Sequence, residues 1–237
     1  MSRCYYDLHV HSCLSPCGDE EMTPNNIVNM ALLNGLSLLA LTDHNTTKNC
    51  PAIMALAAEN GLSFVPGMEL TTEEEIHMIC LFSSLDGAME FDKYVAGKLP
   101  PVLNEEAVFG RQIIMDKNDE IIGTEEKLLI NATEISIDRV QELMKDYGGF
   151  CFPAHIDRTS YSILSVFGDF PPDYHFRAAE ITPKADPSAL TASYPALSEA
   201  RFLINSDAHT LYDFNNSAFL ELSRPTLAEM IKVLGNA

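Results

Sequence analysis

Cys4-Tyr5-Tyr6-Asp7-Leu8-His9-Val10-His11 opens the chain as a short apolar strand that ends in two histidines. Residues i and i+2 of a strand share a face, so His9 and His11 are expected to project side by side. Two imidazoles so placed can grip one metal ion. An isolated His-x-His is a weak signal because the motif is short. It gains weight here because His44, Glu69, His155, Asp207 and His209 also fall at or just after the ends of predicted strands. His77 lies at the start of a strand, within reach of Glu69 across a short turn, although alone it also reads as a core histidine. Six of the seven histidines belong to this set and only His175 falls outside, which is not how a chain uses histidine for packing alone.

The elements that must position these residues alternate. After the first strand and the loop 12–23, Thr23-Pro24 starts a helix, with Thr as N-cap and Pro in the first turn; Gly35 ends it. Residues 36–41 are a nearly continuous apolar run, as in a strand buried on both faces, and lead into Thr42-Asp43-His44-Asn45-Thr46. A helix over 51–60 stops at Gly61. Strands follow at 62–69 and 76–82, then a helix over 86–96. Residues 100–135 break the rhythm and read as an insertion, with a β-hairpin turning at Asp116-Lys117-Asn118-Asp119. Ser136 caps a helix through Tyr147. Strands over 149–155, 176–181 and 200–205 and a terminal helix over 227–234 complete the pattern. Such alternation predicts an α/β architecture, organised as one domain over 1–237.

Composition narrows the class. A hydrophobic fraction of 46% and a charged fraction of 21% suit a globular chain with a sizeable core. No run of about 18 apolar residues suggests a membrane span, and no basic-then-apolar leader opens the chain; the expected compartment is the cytoplasm. The formal charge of −19 should repel nucleic acid at long range, although bound cations would offset part of it. The six cysteines are expected reduced and mostly in the core. Cys13 and Cys17 share the loop after His11, but no second pair completes a zinc knuckle.

Asp7-Leu8-His9-Val10-His11-Ser12, Thr42-Asp43-His44-Asn45-Thr46, Gly67-Met68-Glu69, His77, Pro153-Ala154-His155 and Ser206-Asp207-Ala208-His209 together resemble the successive motifs of the PHP (polymerase and histidinol phosphatase) superfamily. The resemblance covers nearly the whole chain and implies a distorted (β/α)7 barrel, up to three metals and phosphoester hydrolysis. Carried over by position, it implies that His9, His11, Glu69 and Asp207 hold one ion. Glu69, His77 and His155 would hold a second, with Glu69 bridging. His44, His209 and an acidic residue of the first loop would hold a third. Where the family commonly has Asp, five residues after the second histidine, this chain has Pro16. The loop looks lengthened; Asp19 is the expected replacement, five residues before Pro24, with Glu20 and Glu21 as alternatives.

Histidine with carboxylate suits manganese, iron or zinc better than calcium, so two or three such divalent ions are the expected cofactors. Between close cations a bridging water becomes a hydroxide nucleophile, while the ions stabilise charge on the phosphoryl oxygens. Glu69, Asp207, His209 and Arg158 are thus the candidate catalytic residues. Asp7 and Asp43, beside ligands, are read as partners that orient imidazoles, or as ordinary strand-end polarity. Arg158, three residues after His155, and Lys184 are the candidate phosphate anchors; for Lys184 a solvated surface position is an equal reading. Arg111, in the insertion, reads as a surface residue or part of a lid. The expected substrate is a small phosphorylated molecule or nucleotide. A nuclease trimming oligonucleotide ends is the alternative, and nucleic acid beyond short oligonucleotides is not expected because the chain lacks Trp and Lys/Arg-rich stretches. An amidohydrolase also begins with His-x-His, but many need a bridging modified lysine where this chain offers Glu69. A catalytically silent metal-binding regulator fits the complete ligand set poorly.

Overall fold

The computed structural model describes residues 1–234. In chain order the first half contains β1 (Ser2–Asp7), α1 (Pro24–Leu33), β2 (Leu38–Leu41), α2 (Cys50–Asn60), β3 (Ser63–Thr71), β4 (His77–Phe82), α3 (Leu85–Ala96) and α4 (Glu106–Phe109). Then come β5 (Ile113–Met115), β6 (Ile121–Thr124), α5 (Ile137–Asp146), β7 (Gly149–Pro153) and α6 (Ile163–Phe167). The chain continues with β8 (Ala178–Glu180), α7 (Pro187–Ser193), β9 (Arg201–Leu203), β10 (Phe219–Leu222) and α8 (Leu227–Leu234). No described helix is long and apolar enough to cross a membrane.

The main sheet has the order β10-β1-β2-β3-β4-β7. β1, β2 and β3 are parallel, whereas β4 is antiparallel to both β3 and β7. A second, parallel pair, β8–β9, is tied in at either side: Ile156 N–H donates to the Glu180 carbonyl (2.8 Å), and beyond β9 His11 N–H donates to the Ala208 carbonyl (2.9 Å) and Ala208 N–H to the His9 carbonyl (3.4 Å). The sheet therefore curls, and the architecture is α/β as expected. Hydrogen bonding groups the strands as six, two and two rather than as seven equal β/α repeats.

The curl has an apolar inside. One core cluster takes Tyr6, Leu38, Ala40, Val65, Ile79, Leu81, Phe152, Ala178, Leu203 and Leu220 from strands around the sheet, and α8 lays Leu227, Met230 and Leu234 against it. β2 shows why its sequence is continuously apolar: Leu38 and Ala40 face this cluster, while Leu39 and Leu41 pack outward against Ile27 of α1 and Ile53 of α2. Period-2 geometry then places the chemistry. Glu69 shares its strand face with Val65, and His77 shares its face with Ile79 and Leu81, so both rise at one end of the inner core. Because β4 returns antiparallel to β3, with Thr71 paired to His77, the start of β4 lies at the same end as the finish of β3.

Several boundaries differ from the sequence reading. β1 stops at Asp7, because the next backbone donors go to side chains: Leu8 N–H to Asn205 Oδ1 (3.0 Å) and Val10 N–H to Thr42 Oγ1 (3.1 Å). β3 runs on to Thr71, so Glu69 lies within it. β10, antiparallel to β1, was not expected, and neither were the short helices α4, α6 and α7. The expected hairpin forms as β5–β6, closed by Asp116 accepting from Asn118 N–H and Glu120 N–H. It docks on the first loop and α1 through Asp119, which accepts from Thr23 Oγ1 and Asn25 N–H.

Candidate metal centre

Glu69 is the hub. Its Oε1 lies 2.8 Å from His77 Nδ1, 3.2 Å from His155 Nε2 and 3.3 Å from His9 Nε2. Its Oε2 lies 3.1 Å from His44 Nδ1 and 3.3 Å from His11 Nε2. All six side chains are buried. Asp207 joins from the loop after β9, with Oδ1 at 3.0 Å from His9 Nε2 and 3.3 Å from His11 Nε2. It sits at a positive φ of 52°, a strained setting for a residue with a side chain.

On His9 and His11 the outer nitrogen is held by an acceptor, which fixes the inner one to face the cluster, whereas the nitrogens of His77 and His155 turned from Glu69 have no hydrogen-bond partner. His9 Nδ1 contacts both oxygens of Glu180 at 3.0 Å, and Asn205 Nδ2 donates to the same carboxylate (3.0 Å). His11 Nδ1–H donates to Ser15 Oγ (2.9 Å), whose own hydroxyl donates to Asp43 Oδ1 (2.7 Å). Asp43 also accepts from Ser12 N–H and Ser12 Oγ–H, both at 2.7 Å, and so reaches His11 through a serine and not directly. Asp7 does not touch an imidazole. Its Oδ1 accepts from the N–H groups of Ser206 (3.1 Å) and His9 (3.4 Å), and Oδ2 has no partner, so it braces backbone rather than orienting a ring. Glu180 and Asn205 escaped the sequence reading. The available signal was a carboxylate at the end of a buried strand, the same signal that marked Glu69.

The first loop departs from expectation. Asp19 is exposed, its Oδ1 accepts from Glu21 N–H (2.8 Å), and it is not among the clustered donors. Glu20 is held by the Arg111 guanidinium through two contacts of 3.1 and 3.0 Å, and Glu21 is exposed. Arg111 therefore spans insertion and loop at the surface. The loop residue that does reach the cluster is Cys17, whose Sγ lies within 4.8 Å of a nitrogen from each of His11, His44 and His209. His209 stacks on His11 with ring centroids 4.3 Å apart, and its Nδ1–H donates to the Asp207 carbonyl (2.8 Å).

At the mouth, Arg158 Nη2 lies 2.6 Å from Asp207 Oδ2, with 45% of its side chain exposed. Lys184 is exposed and makes no ion pair among the described residues, so the geometry does not bring it into the cluster. Tyr161 stacks on His77 (4.8 Å, 17°) and stays 45% exposed.

Opposed charges set the protonation. Burial would push His9 down, but the carboxylates of Asp207, Glu180 and Glu69 outweigh it and hold the ring well above an ordinary histidine. His11, likewise buried, is raised to about 9 by Asp207 and Glu69. Burial depresses His44 strongly and takes His209 down to about 4, with neighbouring His11 adding to both. Burial opposes ionisation of Glu69 and Asp207, yet the facing histidines keep both well below the usual carboxylate range.

This donor set fits transition-metal ions. Imidazole nitrogens and carboxylate oxygens converge on one buried volume, where His44 Nδ1, 3.1 Å from Glu69 Oε2, makes no hydrogen bond. Donor groups in sets such as His9, His11 and Glu69, or His44, Glu69 and His77, lie close enough to share one ion.

Several known proteins are similar to this chain. An exoribonuclease, Rnm, of Salmonella typhimurium is 37% identical over 81 residues, which cover 32% of this chain and 27% of that protein. A 3',5'-nucleoside bisphosphate phosphatase of Chromobacterium violaceum is 36% identical over 73 residues, covering 31% of this chain and 25% of that one. The matches thus span about a quarter of each relative's length. The crystal structure of a lesion-specific endonuclease, PfuEndoQ, of Pyrococcus furiosus shares the fold at a TM-score of 0.69 and 19% identity, covering 100% of this chain and 57% of that one. The exoribonuclease's name runs against the expectation of no nucleic acid beyond short oligonucleotides. The PHP domain pattern itself matches residues 7–145, from the strand end that carries His9 and His11 to the last turn of α5, and so the chain belongs to the PHP domain family.

Proposed function

We propose that this chain is a metal-dependent phosphoesterase that hydrolyses a phosphate ester of a small molecule or nucleotide. The observation that carries the reading is Glu69, whose two oxygens lie within 3.3 Å of five imidazoles and so can bridge cations while the rings hold them in place. His9, His11, Glu69 and Asp207 would hold one ion; Glu69, His77 and His155 a second; His44 and His209 contribute to a third. The bound ions, two or three of manganese, iron or zinc, would supply a water-derived nucleophile at neutral pH and offset phosphoryl charge.

The chain's own groups do the rest. Glu180 and Ser15 hold the rings of His9 and His11 so that each offers Nε2 inward. Asp207 contributes a carboxylate to the cluster and steadies the Arg158 head, whose exposed side can receive a phosphate oxygen. The exposed face of Tyr161, beside His77, suits a nucleobase. That same face, with the exoribonuclease relative, supports the second reading: trimming of short oligonucleotides from one end by the same centre.

Manganese-loaded protein should be assayed against phosphorylated metabolites, mononucleotides and short oligonucleotides. Release of phosphate from monoesters with oligonucleotides left intact supports the first reading. Stepwise shortening without monoester turnover moves the activity to the second. No hydrolysis of any ester by fully loaded protein overturns both.

A further inference from the structure

The first loop offers the centre sulfur where the family pattern offers a carboxylate. We propose that Cys17, as a thiolate, joins His44 and His209, with His11 alongside, to hold one cation of the cluster, and that this position favours zinc or cobalt over manganese. The inference rests on reading the cluster as a metal centre.

Three observations carry it. First, one donor atom from each of His11, Cys17, His44 and His209 lies within 4.8 Å of the others. Tetrahedral zinc with bonds of about 2.0–2.3 Å spaces its donors about 3.3–3.8 Å apart, so a small contraction closes Cys17, His44 and His209 on one ion, with His11 Nε2 turned to Glu69 and Asp207 beside it. Second, His44 is only 3% exposed, and its Nδ1, 3.1 Å from Glu69 Oε2, is buried and makes no hydrogen bond. Third, the acidic alternatives lie elsewhere: Asp19 is engaged in its own turn, Glu20 pairs with Arg111, and Glu21 is exposed and outside the clustered donors.

The loop is built to present this sulfur. Ser15 N–H donates to the Ser12 carbonyl (3.1 Å), Gly18 N–H to the Ser15 carbonyl (2.9 Å) and Asp19 N–H to the His209 carbonyl (2.9 Å). The last bond clasps the loop to a residue of the same donor set. A Cβ on Gly18 would lie 2.2 Å from the Ser12 carbonyl oxygen, so only glycine can follow Cys17 in this turn. By contrast, the thiols of Cys13 and Cys50 are buried and donate to the carbonyls of Ile113 and Gly67. Binding would exchange the Cys17 thiol proton, released to solvent, for a metal–sulfur bond. Thiolate is a soft donor and selects zinc over manganese, whereas the Glu69 sets, all nitrogen and oxygen, admit either.

The test is a cobalt(II) titration of metal-depleted full-length protein, followed by absorbance and by bound-metal analysis. A sulfur-to-cobalt charge-transfer band should appear in the parent and in Cys13→Ser, and vanish in Cys17→Ser. Cys17→Asp should also lose the band while keeping the metal count, now with manganese competing at least about tenfold better. Because Cys17 is exposed, zinc should in addition protect it from alkylation in the parent. Cobalt bound at two or more equivalents without the band, or a band that survives Cys17→Ser, overturns the assignment of Cys17 and leaves the metal centre standing. No cobalt bound by the parent overturns both.

Discussion

His9 and His11 leave the same strand end, face the same carboxylate and differ in what stands behind them. His9 is backed directly by Glu180, 171 residues away on β8, and Asn205 of the segment after β9 holds that carboxylate in turn. His11 is backed by Ser15, four residues on, which passes the contact to Asp43 beyond β2. One ring leans on a buried charge supplied by the closure of the sheet; the other leans on a hydroxyl supplied by its own loop. A carboxylate acceptor raises the basicity of an imidazole more than a hydroxyl does. His9 is therefore the more firmly oriented donor, and its support depends on the far side of the fold.

The largest effect should come from removing what the two rings share. Glu69→Gln keeps the shape and loses the charge that separates and balances cations, so metal content should fall by at least one equivalent and kcat by orders of magnitude. Retention of full metal and near-parental turnover would show that Glu69 bridges nothing. Next, Glu180→Gln should weaken metal binding about 10–100-fold, as expected for loss of a carboxylate behind a ligating histidine. Asp43→Asn, acting on His11 through Ser15, should cost about tenfold, with part of the damage appearing as lower stability because Asp43 also braces Ser12. Metal titration of the two variants side by side tests the comparison: an equal or larger loss in Asp43→Asn would reverse it.

The smallest effect belongs to Asp7→Asn. Asp7 is two residues from His9 but contacts no ring, so metal affinity should change by less than about threefold. Its signature is pH. Burial raises the Asp7 carboxyl to about 7, against about 4 in an unfolded chain. The folded state then binds the extra proton between these values, and the metal-depleted parent should lose stability as pH rises from 4 to 7. Urea unfolding at pH 5 and pH 8 should show this loss shrinking in Asp7→Asn; an identical slope in both proteins would show that Asp7 is ionised throughout.

Sequence alone nominated most of the side chains that this cluster brings together. Spacing placed His9 and His11 on one face, strand ends marked His44, Glu69 and His155, and the antiparallel return that brings His77 to Glu69 was legible as a short turn between apolar runs. These are local regularities, fixed by strand periodicity and by turns of a few residues. What lay beyond it were contacts made only when the sheet curls. Glu180 meets His9 because Ile156 and Ala208 tie β8 and β9 to the main sheet, and nothing near residue 180 announces a partner at residue 9. Asp7 and Asp43 looked equivalent in sequence, yet one braces backbone and the other relays to His11 through Ser15. In the first loop, counting back from Pro24 selected Asp19, whereas the turn closed by Gly18 and clasped to His209 brings the Cys17 sulfur, not the Asp19 carboxylate, within 4.8 Å of the histidine nitrogens. Period-2 geometry says which way a strand residue points, but a loop residue points where its backbone hydrogen bonds send it, and those are settled by the whole fold.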